Sequence, residues 1–215
     1  MNVDLLLILV VLTNLKLLGS SRLGASIRTV AVQGFLLGLL PLWAHAHDLS
    51  GHVVLLAVGG MVLKGVVFPW LLLRALREAE VQREIEPFVG YIASLLVGVG
   101  AIGVSLWLSA RLPLPEPVVA PLLVPTALFS ILAGLFLIVS RKKAINQVLG
   151  FLVLENGIYA FGIGLVQEAS LLVELGVLLD VFVGVFVMGI IIFHIRREFD
   201  HIDTDQLSTL KDWTP

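Results

Sequence analysis

The sequence predicts an all-α integral membrane protein with about seven transmembrane helices, and three features carry that expectation. Of 215 residues, 58% are hydrophobic and only 14% charged, against roughly 25% charged in a soluble domain; mean hydropathy is +1.03. The apolar residues gather in runs of roughly 17 to 25, the length needed to cross a hydrocarbon core as a helix. Lysine and arginine lie beside these runs, dense in one loop and sparse in the next.

The first run, 3–19, follows Met1-Asn2-Val3-Asp4, which lacks the cationic start of a cleaved signal peptide and is read as a retained first helix. Gly19-Ser20-Ser21 separates it from the second, 25–44, and Asp48-Leu49-Ser50-Gly51 supplies the next turn. The third, 52–73, leads into a charged stretch where Arg74 precedes Glu78 by four residues and Arg77 precedes Glu80 by three. That spacing suits a short solvated extension of the helix. The fourth run, 88–109, ends before Pro113-Leu114-Pro115-Glu116-Pro117. The fifth, sixth and seventh are 118–139, 144–165 and 172–194. Beyond Ile195 the chain carries Asp200, Asp203, Asp205 and Asp212 and is too polar for the bilayer. The expected organisation is a four-helix region at 1–109, a three-helix region at 118–194 and a tail at 195–215.

Basic residues accumulate in cytoplasmic loops and are depleted from translocated ones. With seven spans and the N-terminus outside, the inner side collects Lys16, Arg22, Arg28, Arg74, Arg77, Arg83, Arg141, Lys142, Lys143, Arg196, Arg197 and Lys211, all but two of the 14 Lys and Arg residues. Arg111 alone falls outside, and Lys64 falls within a span. A cell-membrane protein with a cytoplasmic C-terminus is the expected disposition. There is no cysteine, so the chain offers no disulfide, no thiolate zinc site and no iron–sulfur ligation. A formal net charge of −2 provides no basic field for nucleic acid. No phosphate-binding loop, zinc-hydrolase helix or nucleophile elbow is present.

Four ionisable residues lie inside apolar runs: Lys64, Glu155, Glu174 and Asp180. A charge at the centre of a membrane helix costs about 2.5–3.5 kcal/mol on insertion scales, so such groups face a protein interior or water and mark ion or proton pathways. Glu155 sits at the midpoint of the sixth run. It is either neutral, because desolvation disfavours the charge, or ionised against a cation or a water chain; both states suit a proton relay, and the bland alternative is a neutral acid that only glues helices together by hydrogen bonding. Asp180 has Gly176 and Gly184 at i−4 and i+4, which brings a neighbouring backbone or water close. Glu174 lies nearer the outer end, as an entry or exit group or a plain interfacial carboxylate. Lys64 is central in the third run beside Gly59, Gly60 and Gly65, too deep to snorkel, and requires a carboxylate or a water wire. His45, His47 and His52 cluster in one loop without other ligands nearby and are read as an ordinary polar loop.

Several of these residues also carry a resemblance. Ser140-Arg141-Lys142-Lys143-Ala144-Ile145, Leu149-Gly150-Phe151, Leu154-Glu155-Asn156-Gly157, Leu172-Val173-Glu174-Leu175-Gly176, Asp180 and Val187-Met188 resemble the hydrogenase-4 component E family. Lys64-Gly65 through Pro69 and Asp205-Gln206-Leu207-Ser208-Thr209-Leu210-Lys211 extend the likeness across essentially the whole chain. The last three helices also resemble the K subunit of respiratory complex I and the C subunit of multisubunit sodium/proton antiporters. The resemblance implies a non-redox subunit in the membrane arm of a group 4 [NiFe]-hydrogenase or formate hydrogenlyase-like complex. It implies antiporter-like membrane subunits alongside and a hydrogenase module on the cytoplasmic side, with the nickel–iron centre and iron–sulfur clusters in those partners and no cofactor here. In the K-like subunits an acid on each of the last two helices lines a hydrophilic axis, so Glu155 carries over directly and Asp180 fills the second place as a shorter acid. The expected function is proton translocation or charge coupling through Glu155, Asp180, Lys64 and Glu174. A cation/proton antiporter subunit without a redox module is the alternative, and a purely structural scaffold is a further rival.

Overall fold

The structure is a computed structural model that describes residues 3–44, 51–78, 87–113 and 120–165. It is helical, with no strand among the described residues. In chain order the helices are α1 (Val3–Leu18), α2 (Leu23–Gly38), α3 (Leu40–Ala44), α4 (Gly51–Val62), a π-helical turn (Leu63–Val67), α5 (Phe68–Glu78), α6 (Tyr91–Ser109), α7 (Leu123–Ser140) and α8 (Ala144–Leu165). Four stretches are long and apolar enough to cross a membrane: Leu23–Trp43, Ala57–Arg74, Tyr91–Ser109 and Leu123–Ser140. The expected runs at 3–19 and 144–165 are occupied by α1 and α8. The seventh, at 172–194, and the tail lie outside the described residues.

Two expected runs are not single uninterrupted α-helices, and in each a proline supplies the reason. The second is divided at Leu39, because Pro41 has no N–H to give the carbonyl of Leu37. The chain tightens there, with the Leu39 N–H bonding Leu36 at 3.2 Å, and restarts as α3. The third run changes pitch at Leu63–Val67, where the Phe68 N–H reaches back five residues to the Leu63 carbonyl. Pro69 follows directly. A wider turn ahead of a proline gives its ring the room that an α-turn denies. The helix then continues to Glu78, in keeping with an extension beyond the run.

Helices α7 and α8 form the tightest pair. Arg141 is extended (φ −109°, ψ 139°) and ends α7; three residues later α8 begins, so the two run antiparallel. Their seam is made of glycines. A Cβ at Gly150 would stand 2.9 Å from the Gly134 carbonyl oxygen, one at Gly157 would stand 2.7 Å from the Ile131 nitrogen, and one at Gly134 would collide with the backbone of Gly150 and Leu154. Backbones meet directly here, as small residues allow where there is no hydrophobic driving force between helices in lipid.

The interior contains two apolar clusters. One gathers Leu17, Leu18, Ile27, Val30, Phe68, Leu72, Phe129, Leu137 and Leu149. The other gathers Leu6, Leu7, Val10, Leu37, Leu40, Leu123 and Ala160. Along each of α1, α2 and α8 the residues between the two clusters are polar and buried: Asn14, Gln33, Glu155 and Asn156. Large apolar side chains such as Leu55, Val66, Ile92, Leu96 and Val139 cover the outside, the reverse of a soluble surface and consistent with a lipid-facing one. Phe88, just before α6, and Trp107, near its end, are both exposed. The 19 residues of α6 span about 28 Å, close to the hydrocarbon thickness.

The glycine seam makes a prediction. Gly134→Ala should lower the unfolding midpoint of the detergent-purified protein, at a cost of about 1–3 kcal/mol for overpacking against backbone that cannot yield. Gly100→Ala and Gly103→Ala on α6, where an added Cβ meets nothing within 4 Å, should not lower it and should stabilise the protein by up to about 1 kcal/mol each, the helix-propensity gain of alanine over glycine.

Candidate functional site: a buried ion pair in a polar layer

Lys64 belongs to the π turn and Glu155 to the middle of α8, and the fold brings them together. The Lys64 Nζ lies 2.7 Å from Glu155 Oε1. Both are buried, at 8% and 1% exposure. The partner that the depth of Lys64 demands is therefore a carboxylate of the same chain. Tyr159, one turn beyond Glu155, presents its ring 5.0 Å from the same ammonium, so the cation is held by a charge on one side and an aromatic face on the other.

Two neighbouring residues of α2 define the surroundings. Gly34 lets the helix touch the π turn: a Cβ there would lie 2.7 Å from Lys64 Cβ and 3.1 Å from its carbonyl group. Gly38, one turn on, makes the same allowance for Met61. Gln33 faces α8 and α1. Its Nε2 donates to Asn14 Oδ1 at 2.7 Å, and its Oε1 accepts from Asn156 Nδ2 at 3.4 Å. Asn14 Nδ2 donates in turn to Ser130 Oγ at 2.8 Å, and that hydroxyl donates to the Thr126 carbonyl at 2.9 Å. A chain of hydrogen bonds thus runs from α8 through α2 and α1 to α7, all of it buried.

A second buried cation lies at the α7–α8 turn. Arg141 is 1% exposed, although the sequence placed it among the loop cations. Its Nη2 donates to the Leu18 carbonyl at 2.5 Å, the C-terminal end of α1, and its guanidinium lies 4.7 Å from the Tyr91 ring at the start of α6. Arg141 therefore joins four helices and acts structurally.

The ion pair can exchange a proton along its 2.7 Å contact without changing the net charge of the layer. A proton added from elsewhere leaves the layer positive, and one withdrawn leaves it negative. Taking each ion out of water costs several kcal/mol, which attraction offsets only at close range. Loss of either charge therefore leaves the other buried and uncompensated.

Of the four ionisable residues singled out in the sequence, Lys64 and Glu155 are brought together. Glu174 and Asp180 lie outside the described residues, as do His45 and His47. Asn14, Gln33 and Ser130 were missed. Each is an uncharged hydrogen-bonding residue within an apolar run, and an amide or hydroxyl there stands out less than a charge because its insertion cost is smaller.

The chain is 35% identical over 203 residues to an uncharacterized protein of Mycobacterium tuberculosis, Rv0085, covering 94% of this chain and 92% of that one. This chain belongs to the Rv0085 family. It is also 34% identical over 85 residues to hydrogenase-4 component E of Escherichia coli K12 and of Shigella flexneri, 40% of this chain and 39% of theirs. That similarity is partial, where the motif resemblance implied nearly the whole length. No family model and no solved structure matches the chain.

The pairing of Lys64 with Glu155 is tested by a double-mutant cycle on unfolding in detergent. Lys64→Met and Glu155→Leu should each be destabilising by about 3–5 kcal/mol, because each leaves a buried charge behind, while the double variant should recover most of the loss. Additive single effects would show that the two groups do not act as a pair.

Proposed function

We propose that this chain is a non-redox subunit in the membrane arm of an energy-converting group 4 [NiFe]-hydrogenase complex, where the Lys64–Glu155 pair couples charge to proton translocation. The observation that carries this reading is the ion pair itself, buried at mid-depth in the bundle with a 2.7 Å contact. Such groups are retained in membrane interiors, against their insertion cost, chiefly where protons or ions move. The partial similarity to hydrogenase-4 component E supports the choice of complex.

In this reading Glu155 takes up and releases the proton, and Lys64 answers by changing the charge balance of the layer. Asp180 and Glu174 on the last span continue the path toward the outer face. The cytoplasmic side carries the basic loops and the hydrogenase module, and antiporter-like subunits flank the chain in the bilayer. Nickel, iron and iron–sulfur chemistry belongs to those partners; a sequence without cysteine has no thiolate for a cluster.

Two measurements test the proposal. The tagged chain, purified with its native partners, should bring down nickel and iron and support hydrogen-dependent dye reduction; a complex free of both metals overturns the hydrogenase reading and leaves a cation/proton antiporter. In the assembled complex Glu155→Gln should abolish hydrogen-linked proton movement into vesicles, a drop of at least about 10-fold given that a relay loses its only proton-binding state at that step, while dye reduction persists. Unchanged proton movement would assign the pair to structure alone.

A further inference from the structure

We infer that Gln33 is a positioning residue for the Lys64–Glu155 pair, setting the placement of α8 through Asn156; this rests on the functional reading above for its consequence, though not for its geometry. The two ions sit on separate elements, the π turn and α8, and α2 packs against both. Adjacent residues of α2 serve the two contacts. Gly34 seats the backbone that bears Lys64, with no side chain between them. Gln33 holds Asn156, the neighbour of Glu155, at 3.4 Å. The separation of the ions is therefore set by a single short piece of one helix.

Gln33 is suited to this role and to little else. It is completely buried, and both ends of its amide are used, one on α8 and one on α1. It does not titrate, so it cannot store the proton itself. Its bond to Asn14, itself bonded to Ser130 on α7, keeps the amide from turning, because a rotated group would break two bonds within a low-dielectric layer. Among the described residues, few other ionisable groups lie on the helices packed against α8. Of the helices packed on α8, α3 and α7 contain none, and α2 contains Arg28 alone, more than a turn away from Gln33. Lys64 pairs with the carboxylate and Tyr159 faces the same ammonium, so a small displacement of α8 acts directly on that contact.

The test is isotope-edited infrared spectroscopy of the full-length chain in lipid nanodiscs, with labelled glutamate and the Glu155 band assigned by its loss in Glu155→Gln. Gln33→Met keeps the side-chain volume and removes both hydrogen bonds. It should shift or remove most of the ion-paired carboxylate band of Glu155 while the yield of folded protein is retained. Asn156→Leu should do the same, and the two together no more than either, since both act through one contact. An unchanged band in Gln33→Met overturns the proposal, and fully additive effects overturn the route through Asn156. If Gln33→Met fails to accumulate, Gln33→Ala, which leaves room for water, is read in the same way. The spectrum requires no hydrogenase activity. A disturbed band alongside intact proton movement in Glu155→Gln would therefore sink the functional reading and leave the positioning role standing, and the reverse pattern would sink the positioning role alone.

Discussion

A lysine and a glutamate buried where there is no water to solvate them must find each other, and the arrangement of this bundle follows from that requirement. Neither ion is tolerable alone at that depth, and together they need close contact and a matched environment. The π turn presents Lys64, the middle of α8 presents Glu155, and α2 has a glycine where it meets the first and a glutamine where it meets the second. Each is a concession in local terms. A π turn is rarely favoured, and a glycine in a helix interior costs about 1 kcal/mol relative to alanine. Polar side chains in hydrocarbon must be fully hydrogen-bonded. Their coincidence at one level of the membrane marks where the fold is specialised.

Outside that level the molecule is conventional membrane architecture. Two apolar clusters fill the bundle on either side of the polar layer. The α7–α8 hairpin is welded by glycine contacts, and α6 lies on the periphery with most of its surface exposed. The layer also limits helix sliding. A shift of α1 or α2 by one turn would carry an amide into an apolar cluster and leave its hydrogen-bond partner behind, so the polar residues fix the relative heights of the helices as well as their faces.

The broad architecture was legible in the sequence because lipid imposes a simple rule of length and apolarity, and the described helices fall within a few residues of the runs it predicts. Lys64 and Glu155 were legible individually, since a charge in an apolar run is conspicuous. Their contact was not, because they are separated by many residues and by a change of helical pitch that has no unambiguous sequence mark. Pro41 and Pro69 lie inside apolar runs, and their presence alone does not say that one would divide a helix and the other widen it. The amide layer escaped because Asn14, Gln33 and Ser130 are polar without being charged. Arg141 reads as a loop cation from its neighbours Lys142 and Lys143; only tertiary packing reveals that it turns inward.

That inward turn has a bearing on biogenesis. The guanidinium of Arg141 closes on a carbonyl 123 positions earlier in the chain, so the end of α1 leaves the ribosome long before its donor is made. Until the α7–α8 hairpin is made, the first helix lacks its latch. Completion of the bundle thereby requires a segment made late in synthesis, and a chain ending before Arg141 would lack the contact that joins the end of α1 to the start of α6.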